Sequence, residues 1–523
     1  MIRRSGSSFL TLVGVVVALF YLFVGLPARD QGSRPTAAPQ ELLGASGDAA
    51  VSGDGAATGA TALETTTPIK HVITLMQENH SFDNYFGTYP GADGIPEGAC
   101  MPYEPDDPSA GCVEPFRIDD RAVVDLGHNL TTFVEQYNDG RMDGFLKVFE
   151  DQVETGDLSV GYYDDENLPY YWNVADNYVL FDRFFTSAKG GSVPNHFYWV
   201  TATPGNDDNG TLLPEGFDHV PTIFDRLEEA GVSWKFYVQN YDPEITFRNP
   251  QLGDRGSQIV WVPILNYNRF LDDPELNSKI VPFEEFYTDV QNGTLPAVSY
   301  MVPSGASEHP PGSIQAGERF VRSIITALMR SSAWESTAFT WTYDDWGGWY
   351  DHVPPPQVDD WGYGFRAHAL LVSAYAKPGY IDSTEMDFTS ILKFIESNWG
   401  LEPLAKRDRE AQTFLDSFDF TKPPRPPILL DRVRERELEP EPNQAVVYGA
   451  YSVAFAVPFV LALFGVVATR RERRRNGDSE EASTEHLAAD SLEQLGTTDS
   501  FPSTYAEYRA KVEQAKSDGI PPW

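Results

Sequence analysis

The sequence predicts an α/β domain built around a central, mainly parallel β-sheet, and two observations lead to this prediction. Between residues 68 and 420, stretches with the 3.6-residue period of helices alternate with short stretches rich in β-branched and aromatic side chains. Such alternation is typical of parallel sheets with helices on both faces. In addition, several predicted strands end in acidic or amide side chains, and ligands of α/β sheets bind at that edge.

The individual elements follow from local patterns. Residues 222–230 have a helical period that stops at Gly231, and residues 232–238 have the composition of a strand. Residues 317–331 place apolar side chains on one helical face, and a predicted strand at 337–343 follows them. The other predicted elements are strands at 72–76 and 368–373 and a helix at 389–398.

The composition indicates a large globular domain and argues against nucleic-acid binding. Of the 523 residues, 41% are hydrophobic and 13% are aromatic, which is enough for a sizeable core. The 77 acidic residues outnumber the 39 basic ones and give a net charge of −38. Because nucleic-acid binding needs a basic surface, we expect no nucleic-acid partner.

Residues 1–29 are predicted to be a signal peptide or a signal anchor. The apolar run 9–26 follows Arg3 and Arg4, and its length lies at the border between those two kinds of segment. Residues 30–67 are rich in Ala, Gly, Ser, Thr and Pro without any period, which predicts a flexible stalk.

A second apolar run, residues 445–468, is long enough to cross a bilayer as a helix. The basic cluster 470–475 follows it, which predicts that residues 469–523 form a cytoplasmic tail. Residues 421–444 form a Pro-rich linker ahead of the helix. We therefore expect residues 68–420 to be an extracellular domain that the C-terminal helix anchors to the cell membrane. A buried core helix is the less favoured interpretation of the apolar run.

The two cysteines, Cys100 and Cys112, lie in a loop rich in Pro and Gly. In an exported protein this pattern predicts one disulfide that closes the loop. A two-cysteine metal site is less favoured, because no histidines follow at the spacing of a zinc finger.

Oxygen-bearing side chains follow two of the predicted strands. Glu78 and Asn79 come directly after the first strand, and Asp344 and Asp345 come after the strand at 337–343. Two adjacent carboxylates repel each other unless a cation or a proton lies between them. The pattern indicates a metal site, although ordinary polar turns remain an open alternative.

Ser192 lies in a segment that can present a hydroxyl to an anion. Gly191 and the glycine before it allow close backbone approach, Pro194 restricts the turn, and Asn195 adds a side-chain donor. The same pattern also fits a plain loop.

Five segments, in the same order, resemble signature strings of the bacterial and archaeal phosphoesterase family that contains phospholipases C and an acid phosphatase. They are residues 78–87, His128 with 136–145, 190–196, 307–311 (Ser-Glu-His-Pro-Pro) and 343–356 (Tyr-Asp-Asp-Trp-Gly-Gly-Trp-Tyr-Asp-His-Val-Pro-Pro-Pro). The resemblance covers about residues 68–415. It implies the alkaline-phosphatase-like superfamily, with an α/β sandwich around its sheet.

The resemblance also implies roles for nine residues. Ser192 would be the nucleophile, one divalent metal ion would be held by Glu78, Asn79, Ser192, Asp344 and Asp345, and His128, His309, His352 and Asn195 would act on the phosphate and the leaving group. A single histidine is more often structural than catalytic, but all three of these candidate histidines lie inside the strings. Oxygen ligands predict Ca²⁺, Mg²⁺ or Mn²⁺.

The chain departs from the family pattern at three positions. Gly191 stands where many members carry proline, and Asp345 replaces the usual Glu and shortens one ligand arm. Phe388 stands where a histidine is usual, so we expect either slower catalysis or substitution by Asp387 or His368.

The expected function is hydrolysis of a phosphate ester through a phosphoserine intermediate, as a phospholipase C or an acid phosphatase. The ester remains open, with a phospholipid among the candidates, and so does the oligomeric state. Trp341, Trp346, Trp349 and Tyr350 are candidates for a cage around a choline-like cation, although core packing is the favoured role of Trp341. The alternative from another class is a non-catalytic surface-layer or adhesion domain stabilised by Ca²⁺.

Overall fold

A computed structural model of the chain describes residues 64–150, 156–207, 209–251 and 253–430. The predicted signal segment, most of the stalk, the predicted membrane helix at 445–468 and the tail lie outside these residues. Within the described ranges, no helix combines the length and the apolar composition that a membrane crossing requires.

The strands, in chain order, are β1 (His71–Gln77), β2 (Met101–Pro102), β3 (Cys112–Val113), β4 (Phe116–Arg117), β5 (Gly161–Tyr162), β6 (Val179–Phe181), β7 (Trp234–Val238), β8 (Ile280–Pro282), β9 (Val298–Val302), β10 (Thr337–Tyr343), β11 (Ala369–Ser373) and β12 (Tyr380–Asp382). Eight of them form the central sheet of the described region, in the order β12-β6-β11-β10-β1-β9-β7-β8. Within this sheet β11 alone is antiparallel to its neighbours. The predicted mainly parallel sheet is therefore confirmed.

The register of β1 and β10 sets the position of the polar residues that follow them. These two central strands are parallel and in register along their whole length, from His71 opposite Thr337 to Gln77 opposite Tyr343. Apart from the half-buried His71, their side chains are buried on both faces, as expected for a covered parallel sheet. Because both strands end at the same level, the residues after them emerge side by side.

The helices, in chain order, are α1 (Phe82–Phe86), α2 (Leu130–Tyr137), α3 (Pro169–Asn177), α4 (Ser192–Thr201), α5 (Ile223–Ala230), α6 (Gln258–Trp261), α7 (Asn268–Asp272), α8 (Pro274–Asn277), α9 (Glu284–Asn292), α10 (Ile314–Met329), α11 (Phe388–Trp399) and α12 (Lys406–Glu410). The predicted helices at 222–230, 317–331 and 389–398 correspond to α5, α10 and α11. Helix α5 begins at a capping box of Thr222 and Asp225 and ends at Gly231, whose φ of 68° suits glycine.

A buried arginine links three segments near the ends of the central strands. Arg366 is fully buried, and it pairs with Asp351 at 2.9 Å and with Asp83 at 3.1 Å. It also donates to the backbone carbonyls of Asp93 and Asp182, both at 2.7 Å. These bonds satisfy a charge that would be costly to bury alone, and they hold the segments after β1, β6 and β10 together.

The first and last described segments lie at the end of the sheet where β1 and β10 begin. Lys70 N donates to Ser336 O immediately before the two strands. Arg425 O accepts a hydrogen bond from Trp334 Nε1 at 2.9 Å in the same region. The described region therefore begins and ends near the start of these two strands, at the opposite end of the sheet from the residues that follow β1 and β10.

The predicted disulfide between Cys100 and Cys112 is present, with the two Cα atoms 5.6 Å apart. It links the short strand β3 to the residue before its antiparallel partner β2. The bridge thus closes the loop that the sequence indicated.

Candidate active site

Four oxygen-bearing side chains meet where β1 and β10 end. Glu78, Asn79, Asp344 and Asp345 are each at most 1% exposed. Asn79 has a φ of 62°, a strained conformation for a non-glycine residue that turns the chain sharply out of β1. Gly347 packs against this turn, since a Cβ there would lie 2.3 Å from the Asn79 carbonyl oxygen.

Ser192 begins helix α4 instead of lying in a loop, and its side chain faces the acidic residues. Its Oγ donates a hydrogen bond to Asp345 Oδ2 at 3.3 Å, although 153 positions separate the two residues in sequence. A Cβ at Gly191 would lie 3.0 Å from the carbonyl oxygen of His128. A side chain at position 191 would therefore crowd the loop that carries His128, and glycine avoids this contact.

His128 and His309 both lie against Asn79. Their Nδ1 atoms face backbone carbonyls, Leu126 O and Pro310 O, each at 2.7 Å, so in the neutral rings Nδ1 carries the hydrogen. Their Nε2 atoms are then acceptors, and they lie 2.9 and 3.3 Å from the same terminal atom of the Asn79 amide. An amide nitrogen at that position donates to His128 Nε2.

This amide orientation brings three oxygen atoms together without an amide hydrogen between them. Asn79 Oδ1 then lies 2.8 Å from Glu78 Oε2 and 2.9 Å from Asp344 Oδ1. The opposite orientation would place the nitrogen between the carboxylates, but it would require both imidazoles to be cationic. Neighbouring oxygen ligands of one octahedral ion, at metal–oxygen distances of ~2.1 Å, lie roughly 3 Å apart. The three oxygens fit such a shell.

The electrostatics of the acidic residues also favour a cation. Burial raises the pKa of Asp344 to about 8, with repulsion from Asp345 as a second cause, and burial raises the pKa of Asp345 to about 8. Burial and the charges of both aspartates raise the pKa of Glu78 well above its ordinary value. Asp344 Oδ2 has no hydrogen-bond partner among the described residues. Glu78, Asn79, Asp344, Asp345 and Ser192 therefore fit the divalent ion that the resemblance implied.

Asn195 is fully buried, and its amide serves the turn before Ser192. Its Oδ1 accepts from Ala188 N at 2.8 Å, and its Nδ2 donates to Gly190 O and Gly191 O, both at 3.1 Å. All of these contacts are to backbone atoms. The structure thus places Asn195 where it shapes the turn before Ser192, not where it could donate to a substrate.

His352 lies in the ion-pair network around Arg366 and does not line the cleft beside Ser192. Its Nδ1 contacts Asp83 Oδ2 at 2.7 Å, and its Nε2 lies 3.3 Å from Asp93 Oδ1. Burial acts to lower the pKa of His352, but the hydrogen bond and the charge of Asp83 outweigh it and raise the pKa. The geometry gives His352 a structural role and lends no support to the predicted catalytic one.

Sequence reasoning missed His196, which lies in the same helix as the serine. Its ring is fully buried, and its Nε2 is 3.4 Å from Glu78 Oε1. Residues four positions apart share a helix face, so the spacing from Ser192 could have identified it.

Glu308 was also missed, although it lies inside a signature string. Its buried carboxylate accepts hydrogen bonds from the hydroxyls of Tyr85 and Tyr171, both at 2.5 Å, and of Tyr343 at 2.8 Å. Burial raises its pKa to about 8 against the effect of these donors. Tyr343 precedes Asp344 and Glu308 precedes His309, so this group of one carboxylate and three tyrosines supports two parts of the site. The tyrosines come from distant elements, so no local sequence pattern predicts the role of Glu308.

A cleft of about 550 Å³ opens beside the serine. Its lining includes Glu78, His128, Ser192, His309 and Trp261. It therefore offers an ester access to the Ser192 hydroxyl, to two histidines and to one of the buried carboxylates.

The predicted aromatic cage does not form. Trp341, Trp346 and Trp349 are fully buried, and neither they nor Tyr350 line the cleft. Trp341 lies in β10 and packs in the core, which confirms the favoured interpretation for that residue. The tryptophan at the cleft is Trp261 of helix α6, whose isolated position in the sequence carries no signal.

Neither suggested substitute for the family histidine at position 388 reaches the cleft. Phe388 is buried against Phe184. Asp387 caps helix α11 and accepts a hydrogen bond from Ser187 Oγ at 2.9 Å. His368 is enclosed by the rings of Tyr85 and Tyr343.

We predict that a divalent cation stabilises the fold more at about pH 8 than at about pH 5. In the metal-free fold the pKa values of Glu78, Asp344 and Asp345 are raised, so the folded state holds protons that the unfolded chain loses above about pH 4. Stability without metal therefore falls as pH rises toward about 8, and a bound cation removes this penalty. Melting temperatures measured with chelator and with Mn²⁺ at both pH values test this.

The double variant Asp344→Asn, Asp345→Asn serves as the control and should lose most of the cation effect. Other buried carboxyls contribute to the pH dependence of both proteins. The two proteins are therefore compared by the change in melting temperature that the cation causes at each pH. Equal stabilisation of the wild type at the two pH values would contradict the prediction.

Comparisons with known proteins identify the family of the chain. The model of the phosphoesterase family matches residues 69–402. Phospholipase C B of Mycobacterium tuberculosis is 29% identical over 424 residues, which cover 69% of this chain and 79% of that protein. Non-specific phospholipase C1 of Arabidopsis thaliana is 28% identical over 407 residues, which cover 68% and 72%.

Among solved structures, a protein of the alkaline phosphatase superfamily from Vibrio parahaemolyticus matches with a TM-score of 0.35 and 11% identity. That match covers 69% of this chain and 76% of the other. The resemblance carried by the five strings is confirmed by the family match, which spans more than half of the sequence. The chain belongs to the phosphoesterase family and is a hydrolase of phosphoric esters.

Proposed function

We propose that the chain is a metal-dependent phosphodiesterase of the phospholipase C type, tethered to the outer side of the cell membrane, which works through a phosphoserine at residue 192. One observation carries the proposal: the Ser192 hydroxyl meets the buried carboxylates after β1 and β10, 3.3 Å from Asp345 Oδ2, at the wall of an open cleft. A purely structural Ca²⁺ site has no need of such a hydroxyl.

The reaction follows from the positions of the side chains. Ser192 Oγ attacks phosphorus and its hydrogen passes toward Asp345 Oδ2, while the bond from phosphorus to the leaving oxygen breaks and that oxygen takes a proton from the protonated ring of His128 or His309. Water then attacks the phosphoserine and gives a proton back to that ring, and Ser192 Oγ recovers its hydrogen as the phosphorylated product leaves. The first backbone N–H groups of α4 lie beside the reacting group and favour its negative charge.

His128 and His309 are the candidate donors to the phosphate oxygens and to the leaving oxygen, and each would donate from Nε2 when its ring is protonated. Both line the cleft, and the carbonyls at their Nδ1 atoms fix the ring orientation. Glu78, Asn79, Asp344, Asp345 and Ser192 would hold a divalent ion. When bound, such an ion supplies Lewis-acid chemistry, neutralising phosphate charge and lowering the pKa of a ligated hydroxyl.

The charge of the cleft favours a diester over a monoester. None of the lining residues that the structure describes is Lys or Arg. A monoester carries up to two negative charges at neutral pH, a diester only one, and cationic side chains are the usual partners of phosphate groups. The relatives named phospholipase C support the same substrate class, and a phospholipid head group is our proposed natural ester.

Sequence and structure both support an external, tethered domain. The apolar run 445–468 and the basic cluster 470–475 favour a membrane helix with its C-terminal side in the cytoplasm. The disulfide between Cys100 and Cys112 is typical of an oxidising compartment. The described chain ends at the edge opposite to the cleft, so a tether there leaves the cleft open.

Replacing the nucleophile tests the mechanism. In the full-length protein purified in detergent, Ser192→Ala should lower kcat by at least ~10³-fold, because the covalent route is lost. Quenched wild-type reactions with radiolabelled substrate should leave label on the Ser192 peptide. The exposed Ser278, whose hydroxyl donates to Glu275 O, gives the matched control Ser278→Ala with unchanged activity. A Ser192→Ala rate within about tenfold of the wild type would rule the mechanism out.

Substrate charge gives a second prediction. We expect kcat/KM for an aryl phosphodiester to exceed that for the matching aryl monoester by about tenfold or more, since the cleft offers no fixed cation to a second negative charge. Cleavage of phosphatidylcholine in mixed micelles should follow the diester. A preference for the monoester would exclude the phospholipase C assignment and favour a phosphatase.

The topology is tested in intact cells. Protease added outside should remove the domain at residues 68–420 and leave the tail at 469–523 protected, because the basic cluster keeps that tail inside. Antibodies to each part report the result. Protection of the domain in intact cells, with cleavage only after lysis, would refute an external location.

A further inference from the structure

His196 has the arrangement of a metal-binding histidine at the edge of the carboxylate cluster. Its side chain is fully buried in α4, and Nδ1 lies 3.0 Å from the carbonyl oxygen of Ser192, one turn earlier. Since the carbonyl can only accept, Nδ1 carries the hydrogen and Nε2 of the neutral ring presents a lone pair. Metal-binding histidines commonly donate their second ring N–H to a backbone carbonyl in this way.

Acidic oxygens lie near both nitrogens of the His196 ring. His196 Nε2 makes no hydrogen bond in the described region, and Glu78 Oε1 lies 3.4 Å away. On the other side of the ring, Asp344 Oδ2 lies 3.7 Å from Nδ1 and also lacks a hydrogen-bond partner. A lone pair facing a carboxylate in a dry interior is unfavourable unless a cation or a proton lies between them.

The distance between His196 Nε2 and Glu78 Oε1, 3.4 Å, exceeds that of an ordinary N–H···O hydrogen bond, so a shared proton accounts for it poorly. The separation fits a cation, because ligands at ~2.1 Å from one ion, at angles between 90° and 110°, lie roughly 3.0 to 3.5 Å apart.

We propose that His196 Nε2 is a ligand of the divalent ion bound by Glu78 and Asp344. This inference rests on the metal dependence in the proposed function and adds a nitrogen donor to the oxygen ligands predicted from the sequence. Imidazole is a poor partner for Ca²⁺ and Mg²⁺ and a good one for Zn²⁺ and Fe²⁺, and Mn²⁺ accepts both kinds of ligand. The site should therefore prefer a transition-metal ion over Ca²⁺.

Pulsed EPR of the Mn²⁺-loaded full-length protein tests the ligand directly. The wild type should show the hyperfine coupling of a directly bound imidazole nitrogen, and His196→Gln should lose it. His128→Gln and His309→Gln should both retain it. Retention in both variants leaves His196 as the nearby histidine that binds the ion, even if His196→Gln fails to fold. Absence of nitrogen coupling in the wild type overturns the proposal, and so does its loss in His128→Gln or His309→Gln alone.

Metal affinity gives the matched measurement, without substrate. Loss of the nitrogen ligand in His196→Gln should weaken Mn²⁺ binding by at least about tenfold, and Ca²⁺ binding by much less. His219→Gln, at an exposed position in the described chain, is the control and should match the wild type. Equal weakening of both ions would show general damage to the site and would overturn the ligand assignment.

These results are independent of the hydrolase activity. A protein with nitrogen coupling but no turnover of diesters would contradict the proposed function and leave the ligand assignment intact. An active protein without the coupling would contradict the ligand assignment and leave the proposed function intact.

Discussion

Mutual repulsion among three buried carboxylates is the constraint on which the site depends. Glu78, Asp344 and Asp345 are almost completely removed from solvent, and burial raises the pKa of each. Such a cluster is stable only if protons or a cation reduce its charge. The in-register pairing of β1 and β10 brings the three side chains together, so the fold of the sheet requires a counter-charge at this point.

The surrounding polar groups are arranged to keep this cluster in place. Glu308, with its three tyrosine hydroxyls, connects β10 and α1 to the loop that carries His309. Gln77, the last residue of β1, lies within 3.4 Å of the same carboxylate. Arg366 performs a similar role on the other side of the strand ends, through Asp83 and Asp351. Satisfied buried networks of this kind restrict side chains to one geometry, which catalysis requires.

The three histidines near the carboxylates share one feature. Each of His128, His196 and His309 has its Nδ1 against a backbone carbonyl, and each directs Nε2 toward the site. The backbone thus selects the tautomer, and the orientation of Asn79 follows from it. With no Lys or Arg among the described lining residues of the cleft, the proposed ion would be the main positive charge available to a phosphate.

Local sequence determined the secondary structure and the residue types of the site. Hydrophobic periodicity predicted α5, α10, α11 and the central strands, because those elements bury one face or both. The strand ends at Glu78 and Asp344 were visible as polar residues after apolar runs. The resemblance of five strings to the phosphoesterase family added their order and the hydroxyl at Ser192.

Only the tertiary structure decided which side chains meet. His352 and Asn195 have the same residue types as catalytic donors, yet they bind Asp83 and a backbone turn. The tryptophans of the predicted cage lie in the core. Trp261 and Glu308 lie near the site at positions that no local pattern distinguishes, and His196 is marked only by its spacing from Ser192. The physical reason is that periodicity reports which face of an element is buried. The partners across that face come from distant parts of the chain, and their packing sets distance, tautomer and charge.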